Sequence, residues 1–143
     1  MVGKTKATAA DKRRMKTIKE HMPCIPCMLS LERLRLPTIQ HVVSGFTREG
    51  HHRTYASCGW HHLGEKAIDL EGDEWSRQDM SGLLGPSLTF GKKIFAGHFG
   101  SEDVLIAVQD LLLESFASSP WLDYSIPYEV RREATDLWLK MKS

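Results

Sequence analysis

The chain has 143 residues, 41% of them hydrophobic and 26% charged, with a formal net charge of +1. That is one domain's worth of ordinary globular composition. No apolar run nears the roughly 20 residues that span a bilayer, and the start lacks a signal peptide's apolar stretch, so a cytoplasmic protein with no membrane partner is expected.

The charge is unevenly spread. Residues 1–20 carry seven Lys or Arg (Lys4, Lys6, Lys12, Arg13, Arg14, Lys16 and Lys19) against Asp11 and Glu20. Residues 1–10 are small and polar, which predicts disorder, and a short basic helix is expected from Ala9 to Met22. Residues 1–21 read as a basic, flexible N-terminal arm, and 22–143 as a single zinc-containing domain. Each cation that neutralises a phosphate releases counterions, so Lys12, Arg13, Arg14 and Lys16 are candidate DNA contacts. Gly3-Lys4-Thr5 is like the end of a phosphate loop but lacks the preceding strand and first glycine, and is set aside.

Residues 22–63 hold all three cysteines and five of the seven histidines. An odd cysteine count leaves a remainder in any disulfide framework. Cys24-Ile25-Pro26-Cys27 and Cys58-Gly59-Trp60-His61 share one offset and stand thirty residues apart. Three thiolates and one imidazole make a closed tetrahedral set, so Cys24, Cys27, Cys58 and His61 are expected to hold a structural zinc. Met28 to Leu36 reads as a strand or short turn before Pro37. Thr38 to Val43 is β-branched and reads as a strand, with Arg53 to Ser57 returning antiparallel to it. His61-His62 then enter a helix or helical turn. Successive helical residues point about 100° apart, so His62 can serve a second metal. His41, ending the first strand, can deprotonate a water as a neutral imidazole.

Ala67 to Met80 reads as an acidic loop with some helix and Trp75 as an anchor. Ser81 to Ser87 reads as a turn-rich connector, and Lys92 to Phe99 as a helix. Ser101-Glu102-Asp103 is a helix start. Val104, Leu105, Val108, Leu111, Leu112 and Phe116 follow a buried-face spacing, making this the main core helix. Tyr128 to Lys142 is a last amphipathic helix. His21 and His98 are expected to be structural or surface residues, and Trp60 a packing residue.

The central stretch resembles the HNH nucleases, the ββα-metal or His-Me finger group. Their pattern is a zinc knuckle, a strand ending in Asp-His or His-His, a loop residue that is often Asn, then a second knuckle followed by a metal-binding His. Within that group it is most similar to the phage Ref-type, recombinase-associated nucleases. Gly85-Pro86-Ser87-Leu88, Gly91-Lys92-Lys93-Ile94-Phe95 and His98-Phe99-Gly100 resemble the segment that follows the motif there. The likeness covers roughly residues 22–113.

The resemblance implies an α+β fold: a zinc-stapled ββα-metal, treble-clef-like hairpin core with surrounding helices. It implies a metal-dependent DNA endonuclease with His41 as general base and His62 as a ligand of a catalytic Mg²⁺ or Mn²⁺, with Zn²⁺ the alternative. His51 matches the loop residue that orients the base or substrate; an offset alignment puts Arg53 there, as a phosphate contact. Gln40 stands where the family has a metal-binding Asp or His, and an amide oxygen is the weaker ligand. The implied partners are DNA and a recombinase filament, in a phage or prophage setting. The rival reading is a non-catalytic zinc module that binds nucleic acid or protein.

Overall fold

The computed structural model describes residues 8–31, 38–41, 43–44, 47–48, 54–68, 71–122 and 125–142. Helix α1 (Ala9–His21) starts at a capping box. The Thr8 hydroxyl accepts from the Asp11 amide, and the Asp11 carboxylate accepts from the Thr8 amide. Two of the helix's orphan N–H groups are thereby satisfied. Ile18 on its inner face is fully buried. The guanidinium of Arg14 donates to the Thr54 hydroxyl at 2.5 Å and to the Thr54 carbonyl at 3.1 Å, and pairs with Asp110 at 3.2 Å. The second half of the basic segment is therefore a helix docked on the core.

Helix α2 (Ile25–Leu31) follows at once. This corrects the expected strand or turn after Cys27, at least through Leu31. Pro26 lies in the first turn, where its missing N–H costs no bond and its fixed φ suits the helix. The short strands are β1 (Thr38–His41), β2 (Val43–Ser44), β3 (Thr47–Arg48) and β4 (Thr54–Ser57). β1 pairs antiparallel with β4, with Gln40 opposite Tyr55 and His41 opposite Thr54. β2 pairs with β3. Helix α3 (Gly59–Leu63) leaves directly from the end of β4.

The other edge of β4 is closed by a side chain. Gln109 is fully buried, accepts from the Ala56 amide at 2.7 Å and donates to the Thr54 carbonyl at 2.8 Å. An amide imitates a neighbouring strand there, satisfying an edge that would otherwise be open. The Thr54 carbonyl keeps Arg14 as a second donor, but the Ala56 amide depends on Gln109. Gln109→Leu should cost about 2 kcal/mol, the penalty for a buried unpaired amide, read as a lower urea midpoint at unchanged m-value.

Helix α4 (Arg77–Leu84) begins at Ser76, whose hydroxyl accepts from the Asp79 amide. It runs through four residues expected to be connector, because Met80 and Leu84, one turn apart, are both buried. A 3-10 turn (Leu88–Phe90), helix α5 (Lys92–Phe99), helix α6 (Glu102–Ser118) and helix α7 (Tyr128–Lys142) complete the order. Ser101 stands at the cap position of α6 but makes no side-chain capping bond.

Two buried clusters result. The larger gathers Ile18, Met22 and Tyr55 with Phe95, Phe99, the inner face of α6, and Ala134 and Trp138 of α7. The smaller gathers the three cysteines with Trp60, Met80 and Leu84. Indole N–H groups tie distant segments: Trp138 donates to the Phe99 carbonyl and Trp121 to the His21 carbonyl. His21 stacks on Phe116 with ring centroids 4.6 Å apart. The chain is thus a mixed, mainly helical fold with short strands around a cysteine-histidine cluster. Among the described residues no helix is long and apolar enough to cross a membrane.

Candidate functional site

The cluster is built by three local structures. Cys24 precedes α2, Cys27 lies in its first turn, and Cys58 is the N-cap of α3 with His61 one turn on. Cys58 makes no side-chain capping bond, and its sulfur faces the other ligands instead. The His61 Nδ1 lies 3.5, 3.4 and 3.3 Å from the sulfurs of Cys24, Cys27 and Cys58, and the Cys27 and Cys58 sulfurs are 3.5 Å apart. All four ligand atoms fall within 4.8 Å of one another, and all four residues are buried. Tetrahedral Zn–S bonds of about 2.3 Å and a Zn–N bond of about 2.0 Å set edges of roughly 3.5–3.8 Å. The three nitrogen–sulfur distances and the Cys27–Cys58 distance are within a few tenths of an ångström of that spacing.

The protonation chemistry fits a dication. Burial drives the Cys24 thiol well above its ordinary pKa, and neighbouring Cys27 and Cys58 push it further. Cys58, receiving hydrogen bonds from both other thiols, is driven down. Three thiolates in one buried site repel, and a central cation of charge +2 removes that obstacle. The amide of Cys27 also donates to the Cys24 sulfur at 3.4 Å.

The far side of His61 is fixed as well. Its Nε2 lies 2.7 Å from the Leu84 carbonyl. A carbonyl only accepts, so Nε2 carries the proton and Nδ1 turns its lone pair toward the sulfurs. Trp60 beside it is fully buried and donates to the Gly85 carbonyl at 2.9 Å. The carbonyls at the end of α4 therefore orient two consecutive residues of α3. Sequence reasoning missed this support, since backbone acceptors 23 and 25 residues away leave no side-chain signature. Gly64, with φ of 74°, ends α3, and a Cβ there would lie 2.8 Å from Thr89 and 2.9 Å from Phe90. Glycine is required both by the left-handed backbone and by the close approach of the 3-10 turn.

The other expected site residues separate into groups. His62 follows His61 on α3 and is half-buried. Burial lowers its pKa, with Glu65 pulling partly back, which favours the neutral imidazole that ligates metal. Gln40 and His41 lie on β1, opposite Tyr55 and Thr54. Their side chains, together with His51, His52 and Arg53, lie outside the described residues. Lys12, Arg13 and Lys16 are exposed on α1. Arg14 differs from them: its side chain is 17% exposed and holds Thr54 and Asp110.

The sequence model of the family described as "Recombination enhancement, RecA-dependent nuclease" matches residues 7–114, three quarters of the chain. The chain belongs to this family of RecA-dependent nucleases. The family's description is of a nuclease, hence a hydrolase of nucleic acid, that acts in recombination. No curated protein and no solved structure matches the chain. Within the RecA-dependent nuclease family match lie all four cluster residues, the strand pair β1–β4, and helices α1 to α5. Helix α7 lies beyond it.

Proposed function

We propose that the chain is an HNH-type endonuclease that hydrolyses DNA phosphodiesters in concert with a RecA filament. The observation that carries the reading is the junction of β4 and α3. There the cysteine-histidine cluster anchors a helix whose next residue is His62, while β4 pairs with the strand that ends in His41. β1, β4 and α3 are taken as the ββα unit, with zinc holding it closed. The cluster's four protein ligands fill a tetrahedral shell, so this metal is structural and the chemistry lies elsewhere.

In the proposed reaction His41 accepts a proton from water as its oxygen attacks phosphorus. The P–O bond to the leaving sugar oxygen breaks, and that oxygen takes a proton from solvent. A divalent cation held by His62, with Gln40 or His51 completing its ligands, would supply charge stabilisation to the phosphate and the leaving oxygen. The exposed cations of α1 would contact backbone phosphates, which carry affinity with little sequence preference. On this reading the protein works in the bacterial cytosol, where RecA filaments form.

The test is cleavage of circular single-stranded and supercoiled DNA with Mg²⁺, Mn²⁺ or EDTA, with and without RecA filaments, on protein of measured zinc content. Metal-dependent cutting that needs or rises with RecA is expected. A second reading, a non-catalytic nucleic-acid- or protein-binding zinc module, is favoured by Gln40, a neutral residue where a metal-binding Asp or His is usual. It predicts binding with no cutting under any of these conditions.

A further inference from the structure

Between α4, the 3-10 turn and α5 lies a groove of about 440 Å³. Its lining includes Arg77, Ser81, Phe90, Ile94, Gly97 and His98. Among the described residues that line it there is no carboxylate. The Arg77 guanidinium sits over the Phe90 ring, 3.8 Å from its centroid. Such stacking holds an arginine in place while leaving its N–H donors available to an anion. Ile94, on α5, is 66% exposed, an apolar surface left uncovered by the described residues. A cation, a ring, an exposed aliphatic side chain and the Ser81 hydroxyl in one concavity suit a ligand that is anionic at one end and flat and apolar at the other.

The groove is also rigidly joined to the metal cluster. The Ser87 hydroxyl, on its wall, donates to the His61 carbonyl at 3.4 Å. Phe90 packs against Trp60 at 5.7 Å between centroids and approaches Gly64 at the end of α3.

We propose that this groove binds one unstacked nucleotide of single-stranded DNA, with its phosphate on Arg77 and its base against Ile94 and the Phe90 edge. The proposal rests on the DNA substrate of the reading above. A single strand is favoured over duplex because only an unpaired base can leave its neighbours to enter a concavity of this size, and stacking on side chains is how such bases are held.

Fluorescence anisotropy with labelled fifteen-residue oligothymidylate tests it, using the zinc-loaded full chain, Arg77→Ala and Gly97→Phe. Nothing lies within 4 Å of a Cβ built at Gly97, so phenylalanine there obstructs the groove without meeting the core. Both variants should keep wild-type zinc content and melting, and each should bind about tenfold more weakly, the scale of one lost base contact. Wild-type affinity in both variants overturns the groove, whether or not the wild type cuts DNA. Normal oligonucleotide binding with lost capture of a RecA filament overturns it too, and makes the groove a protein-docking site. A wild type that binds through the groove but never cuts overturns the nuclease reading and leaves the groove standing.

Discussion

Cys27→Ser is expected to remove the zinc and most of the stability of this chain. Its sulfur lies 3.4 Å from His61 Nδ1 and 3.5 Å from the Cys58 sulfur, so no other residue can take its corner of the tetrahedron. A serine hydroxyl stays protonated at neutral pH and is a poor zinc ligand. Structural zinc contributes apparent binding energies of about 10–16 kcal/mol in small zinc-folded peptides, comparable to the whole stability of a typical domain. Zinc per chain should fall from about one to near zero, and the melting temperature by about 15 °C or more. EDTA at elevated temperature should reproduce the shift in the wild type. A Cys27→Ser chain that kept its zinc and its melting point would reduce the three cysteines to core packing. The loss should spread to α4, because His61 and Trp60 hold the carbonyls of Leu84 and Gly85 from the cluster side.

His41→Ala should lower metal-dependent DNA cutting by about 10²–10⁴-fold, the usual contribution of a positioned general base. Zinc content, melting and oligonucleotide affinity should stay at wild-type values. The separation of the two effects is the informative part. His41 stands on β1 opposite Thr54, at the end of β4 away from Cys58, whereas Cys58 and His61 lie on the segment that β4 leads into. A base can therefore be deleted without loosening the staple. Cutting that survived the substitution would move the proton acceptor to another residue, and cutting lost together with zinc would mean that β1 serves only the fold.

The cluster residues were legible in the sequence because two identical offsets of three, thirty residues apart, leave little choice of partner. Helices α6 and α7 were legible for a different reason, since their apolar periodicity runs over several turns. Helix α2 was hidden by Pro26, which suggests a turn but fits equally well in a helix's first turn. Helix α4 was hidden by composition: only Met80 and Leu84 of its eight residues are buried. Arg14 reads like Lys12, Arg13 and Lys16, and only the folded chain sets it apart, through partners 40 and 96 residues away. Gln109 was visible as a polar interruption in an apolar helix, but what it faced was not, because the edge of β4 exists only after folding.

The family match ends at residue 114, inside α6, yet the chain's interior does not. Trp121 and Trp138 reach back to carbonyls at the end of α1 and the end of α5, and Trp121 packs edge-on against Phe116. Residues outside the matched region thus tie down the ends of α1 and α5, the latter beside His61 of the cysteine-histidine cluster. Residues within the match and beyond it are packed into one buried cluster, which is expected to open and close together. Substitutions beyond residue 114 are expected to act on the matched region through its breathing rather than through its chemistry.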